Sequence, residues 1–79
     1  MADQDIQIVI KRVMADVLDL DVNAITDDTS VDNSPKWDSA NHIQLVLALE
    51  EEFSVSFDVL ELESMLSFFD IVNVVQSKL

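Results

Sequence analysis

Cysteine, glycine and tyrosine are absent from the 79 residues, and proline occurs once. Without cysteine, neither a disulfide framework nor a thiolate zinc site can form, and any sulfur chemistry must use a thiol brought in from outside. Without glycine, every helix has to stop on Asn, Asp, Ser or simple fraying. Basic residues are scarce too. Four Lys and Arg face sixteen Asp and Glu, the formal net charge is −12, and no Lys or Arg occurs between Trp37 and Ser77. Nucleic acid and anionic membrane surfaces are therefore poor partners and no nucleic-acid binding is expected, while basic protein surfaces would be steered toward the chain. The same charge also serves solubility. No apolar run approaches the ~20 residues of a membrane span, and no secretory signal pattern opens the chain. The expectation is a cytoplasmic setting with no stable membrane association.

What is present supports a folded core. The apolar fraction is 49%, enough to set the chain apart from disordered acidic sequences. At this length residues 1–79 make one domain, near the lower limit for a fold held by a hydrophobic core alone. Ile6, Val9, Ile10, Val13, Met14, Val17 and Leu18 follow helical spacing, with Ile8 off the stripe and Asp3 or Asp5 available at the N-terminus. Periodicity lapses from Asp19 to Asp38, where Asp, Asn, Ser, Thr and the single proline accumulate. This is a long loop, and Leu20, Val22, Ile25 and Val31 are its expected anchors.

A second helix is expected from about Asp38 to Phe53. One side of its wheel carries His42, Leu45, Val46, Leu49 and Phe53, with Ile43 at the margin. Ala40, Gln44, Leu47, Ala48 and Glu51 fall toward the other side. A brief third helix over Asp58–Met65 is suggested by Val59, Leu60, Leu62 and Met65. Ser67 and Asp70 then form a capping-box-like start for a last amphipathic helix through Phe68, Ile71, Val72, Val75 and Leu79. Hairpin turn pairs do not occur, so the reading is all-α: a four-helix bundle, three main helices and one short, with a long first loop.

Two constellations imitate function without its full requirements. Asp19, Asp21, Asn23 and Asp27 fall at ligand positions of a calcium loop, but Ala24 replaces the turn glycine and Ser30 the bidentate Glu. No metal site is expected. Ser39 and His42 stand three residues apart like a nucleophile and its base, yet nothing supplies an oxyanion hole and His42 points to the apolar side. No catalytic residue is assigned, and the chain is not read as an enzyme.

Ser39 carries the sharper reading. In Trp37-Asp38-Ser39-Ala40-Asn41-His42 it ends the long loop and opens the second helix. The unpaired N–H groups and positive dipole end there would suit a phosphate esterified to its side chain. With Leu47-Ala48-Leu49-Glu50-Glu51-Glu52-Phe53 downstream, the arrangement resembles the acyl carrier protein family over essentially the whole chain. The resemblance implies 4′-phosphopantetheine, from coenzyme A, on Ser39, with Asp38 helping to present it. It implies an acyl cleft walled by Leu45, Leu49, Phe53 and Phe57. It also implies docking of basic enzyme surfaces through Ala40, Gln44, Leu47, Glu50, Glu51 and Glu52.

The flanks depart from the family pattern. Lys36-Trp37 stands where glycine is common before Asp-Ser, and Ala40 where leucine follows. Asn41 and Gln44 occupy positions that are usually acidic in carriers of primary fatty-acid synthesis. A specialised member is implied. Its expected role is a discrete monomeric shuttle of acyl thioesters in fatty-acid, polyketide or related lipid biosynthesis. Its partners would be a phosphopantetheinyl transferase and the acyl-loading and acyl-processing enzymes. A D-alanyl or other aminoacyl carrier is the alternative within this class. An unmodified acidic helical interaction module is the alternative outside it.

Overall fold

The computed structural model describes residues 3–79, apart from the side chain of Asp3. Four α-helices follow in order: α1 (Asp3–Leu18), α2 (Ser39–Phe53), α3 (Val59–Ser64) and α4 (Phe68–Lys78), with a 3-10 turn at Val22–Ala24 in the first connection. Asp3 and Asp5 were the expected N-terminal caps. The Asp3 side chain lies outside the described residues, and Asp5 falls inside the first turn, where its charge complements the helix dipole. The described residues contain no strand; Ser30 and Ser67 form one isolated antiparallel bridge.

The core is built from the stripes that periodicity marks. Ile6, Ile10, Met14 and Leu18 of α1 meet Leu45, Val46, Leu49 and Phe53 of α2 and Phe68, Ile71, Val72 and Val75 of α4, all buried. Lys11 adds a polar tie, its ammonium 5.3 Å from the centre of the Phe68 ring. The short α3 buries none of its own residues. Val59 and Leu60 are exposed, Leu62 is half-buried, and only the C-cap Met65 enters the core. Polar ties hold this element instead. Asp58 and Glu61 form a reciprocal capping box, and Glu61 also pairs with Lys78 of α4 at 2.7 Å.

Helix ends use the residues that glycine's absence leaves. Asp19 (φ 54°) and Ser54 (φ 55°) take the left-handed conformation just past α1 and α2. In both cases the next residue's N–H closes the turn: Leu20 to Ala15 O at 3.0 Å, and Val55 to Glu50 O at 3.1 Å. At the start of α4, Ser67 accepts from the Asp70 N–H at 3.0 Å.

Five apolar positions depart from expectation. Val22 is exposed because it opens the 3-10 turn, so Ile25, with Leu20 and Val31 partly buried, anchors the loop. Ile43, placed at the edge of the core side of α2, is 53% exposed. Leu79 lies beyond the last turn and is exposed, and Val59 and Leu60 point out from α3. Each sits at a helix end, at a stripe margin or on the single short helix, where spacing fixes direction least.

Candidate functional site at the start of the second helix

Asp38, not Ser39, caps α2. Its backbone is extended (φ −97°, ψ −177°) and its carboxylate accepts from the Asn41 N–H at 2.9 Å. Ser39 is thus the first helical residue, exposed, with its hydroxyl not needed as the cap. The first intrahelical bond runs from His42 N–H to Asp38 O at 2.8 Å. The N–H groups of Ser39 and Ala40 therefore lie in the part of the turn that has no intrahelical acceptor. The first turn itself holds no acid, and the carboxylate at its start, Asp38, is engaged by the Asn41 N–H.

The approach to Ser39 is held by several fastenings. The Asn41 side-chain amide donates to Lys36 O at 2.6 Å, and the Lys36 ammonium reaches Asp19 at the end of α1 at 2.7 Å. The hydrogen bond from Lys36, and then its charge, lower the Asp19 pKa below the ordinary carboxylate range. Two calcium-loop look-alike positions are thereby occupied: Asp19 pairs with Lys36, and Asp21 caps the 3-10 turn by accepting from Asn23 N–H. Among the described residues no group of three or more His, Cys, Asp or Glu is arranged to hold a metal.

Trp37, which stands before the Asp-Ser pair, is buried at 4% exposure. Its indole N–H donates to His42 Nδ1 at 3.0 Å, the rings lying 6.1 Å apart at 30°. The indole can only donate, so Nδ1 is the acceptor and Nε2 carries the proton. That Nε2–H faces Leu62 O at 2.8 Å. A three-part bridge thus runs from the loop through α2 to α3. Both His42 nitrogens are committed to it, which leaves neither to act as a base toward Ser39.

Val31, Trp37, Asp38, Ser39, His42 and Leu66 line an open groove of about 360 Å³. Only Ser39 and Asp38 of this set were assigned to a site from sequence. The expected cleft residues lie elsewhere: Leu45 and Leu49 are fully buried, Phe53 is nearly so, and Phe57 is half-buried beside them. Of the expected docking residues, Ala40, Gln44, Leu47, Glu51 and Glu52 are exposed along α2. Glu50 is half-buried and holds the α2–α3 connector, its carboxylate accepting from the Phe57 N–H at 2.8 Å.

Residues 9–74 match the family model described as a phosphopantetheine attachment site. The chain belongs to this carrier family. It is 32% identical over 68 residues to an acyl carrier protein of Clostridium acetobutylicum, covering 86% of this chain and 88% of the relative. It is 34% identical over 70 residues to polyketide-8 synthase acyl carrier protein 2 of Streptomyces avermitilis, covering 89% and 80%. An acyl carrier protein of Petrotoga mobilis is 31% identical over 70 residues, covering 89% and 82%. The family's cofactor is 4′-phosphopantetheine, and the role that membership carries is that of a carrier. Neither the aminoacyl alternative nor the unmodified module is favoured by these relatives. Among the described residues no helix is long and apolar enough to cross a membrane.

Proposed function

We propose that Ser39 is the attachment point for 4′-phosphopantetheine and that the chain is a single-domain, monomeric shuttle of acyl intermediates without catalysis of its own. One observation carries the assignment. Asp38 takes the cap, so Ser39 stands exposed as the first residue of α2 with a free hydroxyl position and two N–H groups lacking intrahelical acceptors beside it. A phosphodiester on Ser39 fits there, since its negative charge would face the helix N-terminus, where the Ser39 and Ala40 N–H groups have no intrahelical acceptor. When attached, the group supplies a thiol that carries acyl cargo as a thioester, a group that a cysteine-free chain lacks. Asp38 holds the turn that presents the serine, while Asn41 and Lys36 fasten the segment before it.

Encounter with partner enzymes rests on α2. The exposed Ala40, Gln44 and Leu47 give that face a weakly charged upper half, and Glu51 and Glu52 an acidic lower half. Charges of this kind raise association rates more than final affinity, which suits a shuttle that must also leave. Suitable partners are a phosphopantetheinyl transferase and acyl-loading or acyl-processing enzymes with basic docking surfaces, in the cytoplasm. The polyketide-synthase relative supports a specialised lipid or polyketide pathway.

The test is intact mass after incubation with coenzyme A, magnesium and a broad-specificity transferase. The native chain should gain one phosphopantetheine. Ser39→Ala should keep its helical signal and melting temperature and gain nothing. An equal increment on the variant would move the site to another residue.

A further inference from the structure

We propose that Asn41 is a positioning residue for the modification of Ser39, and that the position requires an amide rather than a carboxylate. The inference rests on Ser39 as the attachment point. Asn41 holds the chain on both sides of that serine. Its backbone N–H donates to Asp38 Oδ1 at 2.9 Å, and its side-chain amide donates to Lys36 O at 2.6 Å. Residues 36–41 are thereby closed into a loop that ends on one half-buried side chain and carries Ser39 within it. The turn just before is fixed as well, by the Trp37 N–H on Ser34 O at 2.9 Å. Lys36 adds an ion pair to Asp19, but the two side chains are 55% and 87% exposed, and such a pair contributes little. The amide bond is therefore the main tie on Lys36.

Only a donor can make that bond. An ionised carboxylate has the shape of the amide but accepts only, so at position 41 it would face the Lys36 carbonyl as a second acceptor. The helix itself would not suffer, because an acid in the first turn complements the positive end of the dipole. Substituting Asp thus separates the lock on the segment from the stability of α2. In the modification, the Ser39 oxygen bonds to the phosphorus nearest the pantetheine and the pyrophosphate link of coenzyme A breaks. The adenosine bisphosphate leaves, and the hydroxyl proton passes to a base of the transferase. The transferase must bind Ser39 in one arrangement for this step. A segment already held there loses less freedom on docking, and when the competent fraction falls, apparent affinity falls with it. Asn41 acts through Lys36 and Asp38 and not on the serine oxygen. Its effect therefore belongs to KM for the carrier and not to kcat.

The experiment uses the full chain, coenzyme A, magnesium and a transferase, with initial rates of mass gain measured against carrier concentration. The native chain, Asn41→Asp and Asn41→Ala are compared. A native chain that gains no mass would defeat the carrier reading itself and is thereby distinguished from failure of the lock. Both variants should raise KM by about two- to fivefold, the upper figure being the ratio that a net ~1 kcal/mol hydrogen bond sets, with kcat unchanged. In both, the Trp37 N–H should exchange faster with deuterium, while Asn41→Asp keeps the native melting temperature. Equal KM values, an unchanged Trp37 exchange rate or a loss in kcat alone would overturn the proposal. Faster modification of either variant would do so too, since the transferase would then need the segment open. A deficit in Asn41→Asp that Asn41→Ala does not share would assign the effect to charge and refute the lock. Should Asn41→Ala fail to fold, Asn41→Asp at high salt decides, where charge is screened: a persisting rise in KM supports the lock, and a vanished one refutes it.

Discussion

Replacing His42 with leucine isolates what the Trp37–His42–Leu62 bridge contributes to stability. The substitution keeps apolar bulk on the inner side of α2 but removes both hydrogen bonds, at 3.0 and 2.8 Å. Each such bond contributes a net ~1 kcal/mol, and a buried donor left without a partner costs a further ~1–3 kcal/mol. The penalty falls on Trp37, which is buried at 4% exposure, while the carbonyl of half-buried Leu62 can turn to water. The expected loss is about 2–4 kcal/mol. In a domain of this size 1 kcal/mol moves the melting temperature by roughly 4–8 °C, so a drop of about 8–32 °C is expected. Far-UV circular dichroism melts measure it. A cycle with Trp37→Phe and the double variant should return a coupling above about 1 kcal/mol for the indole–imidazole pair, since the double variant no longer strands the indole N–H. An unchanged or raised melting temperature for His42→Leu, or strict additivity in the cycle, would refute the bridge as a structural tie.

Three further outcomes are expected. Glu51→Lys should slow turnover by a cognate enzyme through association, with the deficit shrinking as salt rises; equal rates at low salt would remove α2 as the docking face. Ser54→Gly should raise stability by about 0.5–1 kcal/mol, because the φ of 55° strains serine more than glycine's extra unfolded-state freedom costs; a lower melting temperature would count against that strain. Glu61→Gln tests the tie on α3. Lys78, and then the Asp58 N–H, lower the folded-state pKa of Glu61, so its contribution is complete above the unfolded value of about 4.3 and is lost as pH falls through the lower folded value. The stability gap between native chain and variant should therefore be full from about pH 5 upward and narrow in stronger acid. A gap that widens in acid would reverse the sign and defeat the assignment.

The long helices were legible because their stripes run for several turns. The α1 positions Ile6, Ile10, Met14 and Leu18 and the α4 positions Phe68, Ile71, Val72 and Val75 are buried as spacing requires. The short α3 was legible as an element through Val59, Leu60, Leu62 and Met65, within bounds that its caps Asp58 and Met65 match. Its directions were not, because six residues complete fewer than two turns and leave no stripe to average. The first connection hid its organisation for a different reason. Its fastenings are side chain to backbone or side chain to side chain, as between Lys36 and Asp19 or Asn41 and Lys36. Such contacts have no periodicity to read.

The candidate site divides along the same line. Asp38-Ser39 at a helix start is a local pattern, and the structure gives Asp38 the cap and Ser39 the first helical position. The acidic run told less, because Glu50, Glu51 and Glu52 look alike in sequence. One faces the connector and spends its carboxylate on the Phe57 N–H, whereas the next two face water. The groove beside Ser39 was out of reach altogether. Its walls come from residues 31, 37, 42 and 66, which only the Ser30–Ser67 bridge and the folding of the loop onto α2 bring together. One signal did point there. A single tryptophan and a single histidine, five residues apart across a helix start, are a donor and an acceptor that burial obliges to find partners. Trp37 was thus bound to be either a surface contact or a bonded anchor, and its N–H on His42 makes it the anchor. In a chain without glycine the indole bridge, and not a flexible turn, fixes how the loop enters α2 and so where Ser39 stands.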